Sequence, residues 1–555
     1  MTSTPAETLL FLGLSGVPYD RLAVRIADGR LPALARLAAA GALLPLASDG
    51  PLDEAAAWTG IATGRPAIEH GVLLPDEPWA GGLRPVGRAS WRRPAMWERL
   101  EAAGIATAGV GWPATTPGAA WPGTHVDDRV GRASGRTWDE WPLPPDLAPT
   151  ALRGALREVR VHPADLDPAM LTGLVPDLAA AARDPRLGLV APVLARTATE
   201  HAAAVSLARA GGWRALFVHH DLPGALEGTF GGAAAPFDRV ADGGWTLVDA
   251  LVGGLAAVLP DGCRLLIAST GTARRRGAVL LPGGRPVVAS MLDLAPTVLA
   301  LFGVGDPALP GRPLLGSRGL RPLPPAPSPP APDAPAPADL ARVRFFGLEP
   351  PTVPGEWLQR HRLARAQLLL ASNPVAAGRL LDDVLAAEPA SPFALVLRVA
   401  AHVALNEAGP LPALARALAR AAPDSAWAAL AAAAPPVLAG DAAAAEPHLR
   451  RAEALGGPDE RLRVAAAWLM LGRTADSERV YRALLHERPD DPAVLLGLAA
   501  AAGASNRGVD EEQALRRLLA ISPAHPLALR ALDARLRASG RTREADALSA
   551  KVAAR

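Results

Sequence analysis

The amino-acid sequence predicts two folds in one chain: an α/β domain with a mostly parallel central sheet flanked by helices, and then an all-α array of helical hairpins. Three observations predict it. Short apolar runs alternate with helical patterns up to about residue 320, nine prolines crowd into residues 321–340, and from there a proline recurs at intervals of 34, 35, 31 and 34 residues. At 555 residues the chain is also too long for one compact core.

The strand runs are LLFLGL (9–14), ATAGVGW (106–112), RALFVHH (214–220) and RLLIAS (264–269), with a helix through LPALARLAAAG (31–41) after the first. Strands separated by helical patterns are the mark of parallel strands with crossover helices. Residues 141–210 read differently, as helices and loops forming a cap or insertion over the sheet. The segment 321–340, RPLPPAPSPPAPDAPAPADL, cannot be helix or central strand and is expected to be an extended spacer. This divides the chain into a first domain at 1–320, a linker at 321–340 and a second domain at 341–555.

After the linker the strand signals stop. Pro389, Pro423, Pro458, Pro489 and Pro523 set the interval, and a period near 34 residues with a closing proline is the tetratricopeptide signature. The clearest copy spans 458–491. Ala465, Trp468, Gly472, Ser477, Tyr481 and Pro489 there occupy the small, aromatic, turn, small, aromatic and closing positions. Each hairpin needs small residues where its helices touch and stacks its apolar face on the next. The expected fold is a solenoid whose concave surface takes a protein partner.

Composition excludes several classes. A formal net charge of +2 provides no field to gather nucleic acid, and Lys551 is the only lysine among cations spread evenly along the chain. Cys263 is the only cysteine, which excludes an internal disulfide or a cysteine metal cluster. The start, MTSTPAETLLFLGL, lacks a basic leader, and Arg, Asp or Pro interrupts every apolar stretch before membrane-spanning length. A cytoplasmic protein without membrane insertion is expected.

The first domain resembles a known family, the alkaline-phosphatase-like type I phosphodiesterases and nucleotide pyrophosphatases, in the bacterial branch that often carries tetratricopeptide repeats. FLGLSGVPYDRLAVRIADGRLPALARLAAAG (11–41) is similar to the family's opening strand, turn and helix. AAWTGIATGRPAIEHGV (56–72) resembles its nucleophile loop, GVGWPATTPGAAWPG (109–123) its Trp-Pro turn, and MLDLAPTVLALFGV (291–304) with LPGRPLL (309–315) its closing helix and tail. The resemblance implies two-metal transfer of phosphoryl or sulfuryl groups, with carboxylates and imidazoles at the sheet edge holding divalent ions that clamp the attacking and leaving oxygens.

The residues that this chemistry requires are replaced. Ser15 stands where the family has its first Asp, and Glu54, four residues before Trp58, stands at the nucleophile. Gly224 and Gly228 stand at an Asp and a His, Thr270 and Gly271 at an Asp-His pair, and Ala273 at the last His. The expected molecule is a pseudoenzyme without catalytic residues, metal or other cofactor, acting as an adaptor or assembly factor, and Glu54 is expected to be a bystander in it. The alternative is a divergent metal-dependent phosphodiesterase, phosphatase or sulfatase-type hydrolase with a rebuilt site. His219, His220 and Asp221 are its candidates, although adjacent strand residues point to opposite faces. His70 reads as a structural loop residue, and Arg274, Arg275 and Arg276 as a solvated loop.

Overall fold

The computed structural model describes residues 8–48, 53–79, 82–132, 141–166, 171–181, 184, 186–222, 224–231, 233–271, 276–283, 288–315, 320–323, 355–370, 373–489, 491–521 and 525–553. Ala273, Arg274, Arg275, Pro523 and linker residues 324–340 lie outside these. The chain forms two compact units, Met1–Pro354 and Gly355–Arg555.

In the first unit two short strands, Val304–Gly305 and Arg321–Pro322, pair with each other apart from the main sheet, and the remaining strands are β1 (Leu9–Leu14), β2 (Ala42–Ala47), β3 (Asp76–Trp79), β4 (Gly82–Pro85), β5 (Thr107–Val110), β6 (Thr124–Val126), β7 (Ala215–His220), β8 (Arg264–Ser269), β9 (Gly277–Leu281) and β10 (Ala289–Ser290). Strands β3 and β4 form a separate hairpin, and the other eight make one sheet in the order β10-β2-β9-β8-β1-β7-β5-β6. Central β1 is parallel to both β7 and β8, whereas β9 runs antiparallel to both of its neighbours. Every side chain of β1 and β7 is buried, as expected of strands covered on both faces.

Alternation along β1 sorts these residues into two cores. Leu10, Leu12 and Leu14 face a core shared with Leu216 and Val218, while Leu9 and Phe11 face one shared with Phe217, Trp58, Trp97 and Trp112. Fully burying a side chain of this size contributes about 1.5–3 kcal/mol, so the two layers fix the sheet firmly. Gly13 lies on the aromatic face because a Cβ there would come within 2.7 Å of the Trp58 ring.

The structure refines two readings. Within 141–210, the final helix Leu187–Ala210 packs directly against β5 and β7, so that helix flanks the sheet. The sheet also has strands that the apolar runs did not single out. Pro45 breaks the pattern of β2, and β9 follows β8 too closely for a crossover helix.

In the second unit six helix pairs follow one another, from Gly355–Leu369 with Pro374–Ala387 to Pro526–Ala538 with Thr542–Ala553. Pro389, Pro423 and Pro489 each sit two residues past the end of a second helix. Pro458 does not close a repeat. It opens the helix Pro458–Met470, as Pro392, Pro492 and Pro526 open theirs, because the first helical position has no intrahelical N–H bond to lose. This difference explains the irregular intervals of 35 and 31 residues.

The copy at 458–491 packs as its residue types require. Ala465, Trp468 and Ser477 are fully buried, and the Ser477 hydroxyl donates to the Ala465 carbonyl at 2.8 Å. Gly472 turns the chain at φ +69°, and Gly497 leaves the space that the Tyr481 ring occupies. Arg473, Arg507 and Arg541 each reach back to Glu446, Glu478 and Glu512 in the preceding pair. Exposed pairs of this kind add about 0–1 kcal/mol each, so apolar stacking carries the array.

Candidate functional site at the sheet edge

The C-terminal ends of parallel strands are where α/β sheets place their sites. The described positions Ser15, Glu54 and Thr270, distant in sequence, meet there. Ser15 leaves β1, Thr270 leaves β8, and Glu54 opens the helix Glu54–Thr63, whose N-cap Asp53 accepts from the Ala55 N–H. The Ser15 hydroxyl lies 2.8 Å from Glu54 Oε2 and 2.9 Å from His219 Nε2. The Trp58 indole donates to Glu54 Oε2 at 2.8 Å and to Ser15 Oγ at 3.0 Å, and the Thr270 hydroxyl donates to Glu54 Oε1 at 3.0 Å. Gly16 N–H in turn donates to Thr270 Oγ1 at 3.1 Å.

Much of the Glu54 residue faces solvent, but its carboxylate is turned inward among these groups. That enclosure raises its pKa above the ordinary value, with the Asp221 charge adding to the effect, while the bonds from Ser15, Thr270 and Trp58 oppose it. Burial holds His219 well below the usual histidine range, so its ring is neutral.

The remaining family positions do not join this network. Gly224 begins the helix Gly224–Phe230 pressed against the turn after β1, where a Cβ would lie 2.2 Å from the Ser15 carbonyl oxygen. Gly228 is exposed one turn further along. Gly271 follows Thr270 with φ +69°. His219 points to the Trp58 side at a ring separation of 4.8 Å, whereas His220 points to the helix Leu187–Ala210, its Nδ1 3.5 Å from Glu200 Oε2. Asp221 pairs with Arg196 at 2.9 Å. The alternative trio therefore separates as the strand geometry requires. His70 is fully buried, accepts from the Val72 N–H at 3.2 Å and is pushed down to about 3 by burial.

These residues do not fit a pair of divalent ions. The gathered positions provide one carboxylate, and both of its oxygens already accept hydrogen bonds. Among the described residues no group of three or more His, Cys, Asp or Glu is arranged to hold a metal.

Sequence reasoning missed Glu200, which is fully buried beside His220 and Arg196. Its signal is that it is the one acidic residue in the 24-residue helix Leu187–Ala210. Glu54 is no bystander, because it is the acceptor on which the network closes. Glu54→Gln keeps a carbonyl acceptor at one of the two oxygen positions and should change stability by less than Glu54→Ala. Glu54→Ala leaves Ser15, Trp58 and Thr270 without it and should cost about 1–3 kcal/mol in chemical denaturation.

The raised carboxyl also fixes a pH dependence. Its contribution to stability is fully present below the ordinary pKa of 4.5 and is lost as pH rises through the higher folded value. Glu54→Gln should therefore gain on the wild type across that rise and match it in stronger acid, as read by melting temperature against pH.

Residues 9–270 match the family model for type I phosphodiesterase / nucleotide pyrophosphatase. No curated protein matches the chain. Solved structures that resemble it include the human IFIT1 dimer with PPP-AAAA, at 15% identity and TM-score 0.31, covering 35% of this chain and 50% of that one. A thermophilic TPR protein of Thermus thermophilus is 17% identical with TM-score 0.30, covering 32% of this chain and 98% of that one. PilW, a widely conserved type IV pilus biogenesis factor, is 16% identical with TM-score 0.30, covering 36% and 93%. The chain thus spans half the length of the human protein.

Proposed function

We propose that this chain is a catalytically degenerate phosphodiesterase-like protein that acts as an adaptor or assembly factor through its tetratricopeptide repeats. The observation that carries the reading is the mutual bonding of Ser15, Glu54 and Thr270. Three replaced positions, 39 and 216 residues apart from Glu54, satisfy one another with hydroxyl donors and a carboxylate. Divalent ions of the family's chemistry need several oxygen or imidazole ligands per ion.

The same proposal divides the chain at 1–320, 321–340 and 341–555 and places it in the bacterial cytoplasm, with a protein partner on the concave face of the solenoid and no nucleic acid. Purified protein should not turn over an aryl phosphodiester, and a host partner should be retained by 341–555 and lost from 1–320. Retention by 1–320 alone would move the binding function to the degenerate domain.

A divergent hydrolase is the second reading, favoured by the raised Glu54 carboxyl beside Ser15 and His219. Metal dependence separates the two. In the degenerate protein no metal-binding free energy is linked to folding, so chelator should leave the melting temperature unchanged. A fall on chelation would favour the hydrolase.

A further inference from the structure

Three atoms at the centre of the candidate site, Glu54 Oε2, Ser15 Oγ and His219 Nε2, stand in a chain with gaps of 2.8 and 2.9 Å, each of hydrogen-bond length. A serine hydroxyl has one proton and fills only one gap. The other gap must be filled by a proton on Glu54 or on the imidazole ring, so the state of one end of the chain fixes the state of the other.

With Glu54 ionised, Ser15 donates to the carboxylate and His219 donates to Ser15 from Nε2. The ring is neutral, so its Nδ1 is then a bare lone pair, buried and without a hydrogen-bond partner among the described residues. With Glu54 protonated, the carboxyl donates to Ser15 and Ser15 donates to Nε2. The ring proton then sits on Nδ1, where the Gly111 backbone favours it. Both states use the same heavy-atom positions. Passing from the first to the second takes one proton from water, while Ser15 and His219 keep one each.

We propose that Glu54, Ser15 and His219 form a two-state hydrogen-bond chain, in which a proton gained by Glu54 at the sheet edge moves the ring proton of His219 from Nε2 to Nδ1. The inference goes beyond the adaptor reading but rests on its metal-free site.

The surroundings place the gained proton on Glu54. Enclosure raises its pKa, helped by the charge of Asp221 just past β7 and opposed by the bonds from Ser15, Thr270 and Trp58. At the other end, burial and the nearby Arg196, His220 and Arg132 disfavour a positive ring. The His219 ring packs edge-on against Trp58 and Trp112, at 4.8 and 6.4 Å. A protonation event at the edge is thereby carried to the aromatic core and to the turn after β5.

The test is nitrogen NMR of the full chain with isotope-labelled histidine, titrated from neutral pH down to 4.5, the ordinary value for this carboxyl. Loss of a signal pair in His219→Gln identifies the ring. It should pass from the Nε2–H to the Nδ1–H form while staying neutral. Glu54→Gln, which cannot titrate, and Ser15→Ala, which removes the bridge, should each hold the ring in one form throughout. Thr270→Val removes a bond that favours the carboxylate but lies off the chain, so the change should persist with its midpoint at higher pH. Circular dichroism confirms that each variant is folded.

One unchanged tautomer across the wild-type titration, a positively charged ring in place of the exchange, or exchange that persists in Glu54→Gln would each overturn the proposal. Metal content of the same sample tests the metal-free reading independently, so the two can fail separately.

Discussion

Trp468→Ala should destabilise the helical unit Gly355–Arg555 by about 3–5 kcal/mol, because it leaves an unfilled volume at the centre of a stacked core. Trp468 is fully buried among Ala465, Val464, Val480 and Tyr481, in a cluster that also takes residues from the pairs before and after. The Arg450 and Arg473 guanidiniums lie over its ring at 5.3 and 5.2 Å. In a linear array each pair is stabilised by its neighbours, so the loss is felt beyond the altered repeat. The measurement is thermal unfolding of the unit by circular dichroism. A wholly helical spectrum with a sharply lowered midpoint is expected, and an unchanged midpoint would contradict the packing described.

Gly224→Asp, which puts a carboxylate where the resemblance to the phosphodiesterases would have one, should cost about 3 kcal/mol and bring no aryl phosphodiester turnover. The added Cβ would lie 2.2 Å from the Ser15 carbonyl oxygen and 2.9 Å from the Gly16 Cα. Those atoms are backbone and cannot swing aside as a side chain would, so the helix Gly224–Phe230 or the turn after β1 must shift. Chemical denaturation reads the cost, and a variant as stable as the wild type would show that this edge retains room for a ligand set.

Much of the fold was legible in the sequence. The buried strands β1, β7 and β8 are continuous apolar runs, and the repeat stands out because Ala465, Trp468, Gly472, Ser477 and Tyr481 each answer a local packing demand. The boundaries were less legible where one residue type serves two purposes: proline closes some repeats and opens the helix at Pro458. At the candidate site, motif position named Ser15, Glu54 and Thr270, but not their bonding to one another. That depends on three chain segments meeting at one sheet edge, which no local pattern encodes. The pairing of Glu200 was hidden for the same reason, since its partner His220 comes from a different element.

The most direct test of the account is elemental analysis of the full-length protein, purified without chelator and exchanged into metal-free buffer. With Ser15, Glu54 and Thr270 joined by hydrogen bonds and Gly224 closed against the turn, the account predicts substoichiometric zinc and manganese. Two tightly held divalent ions per chain would contradict it.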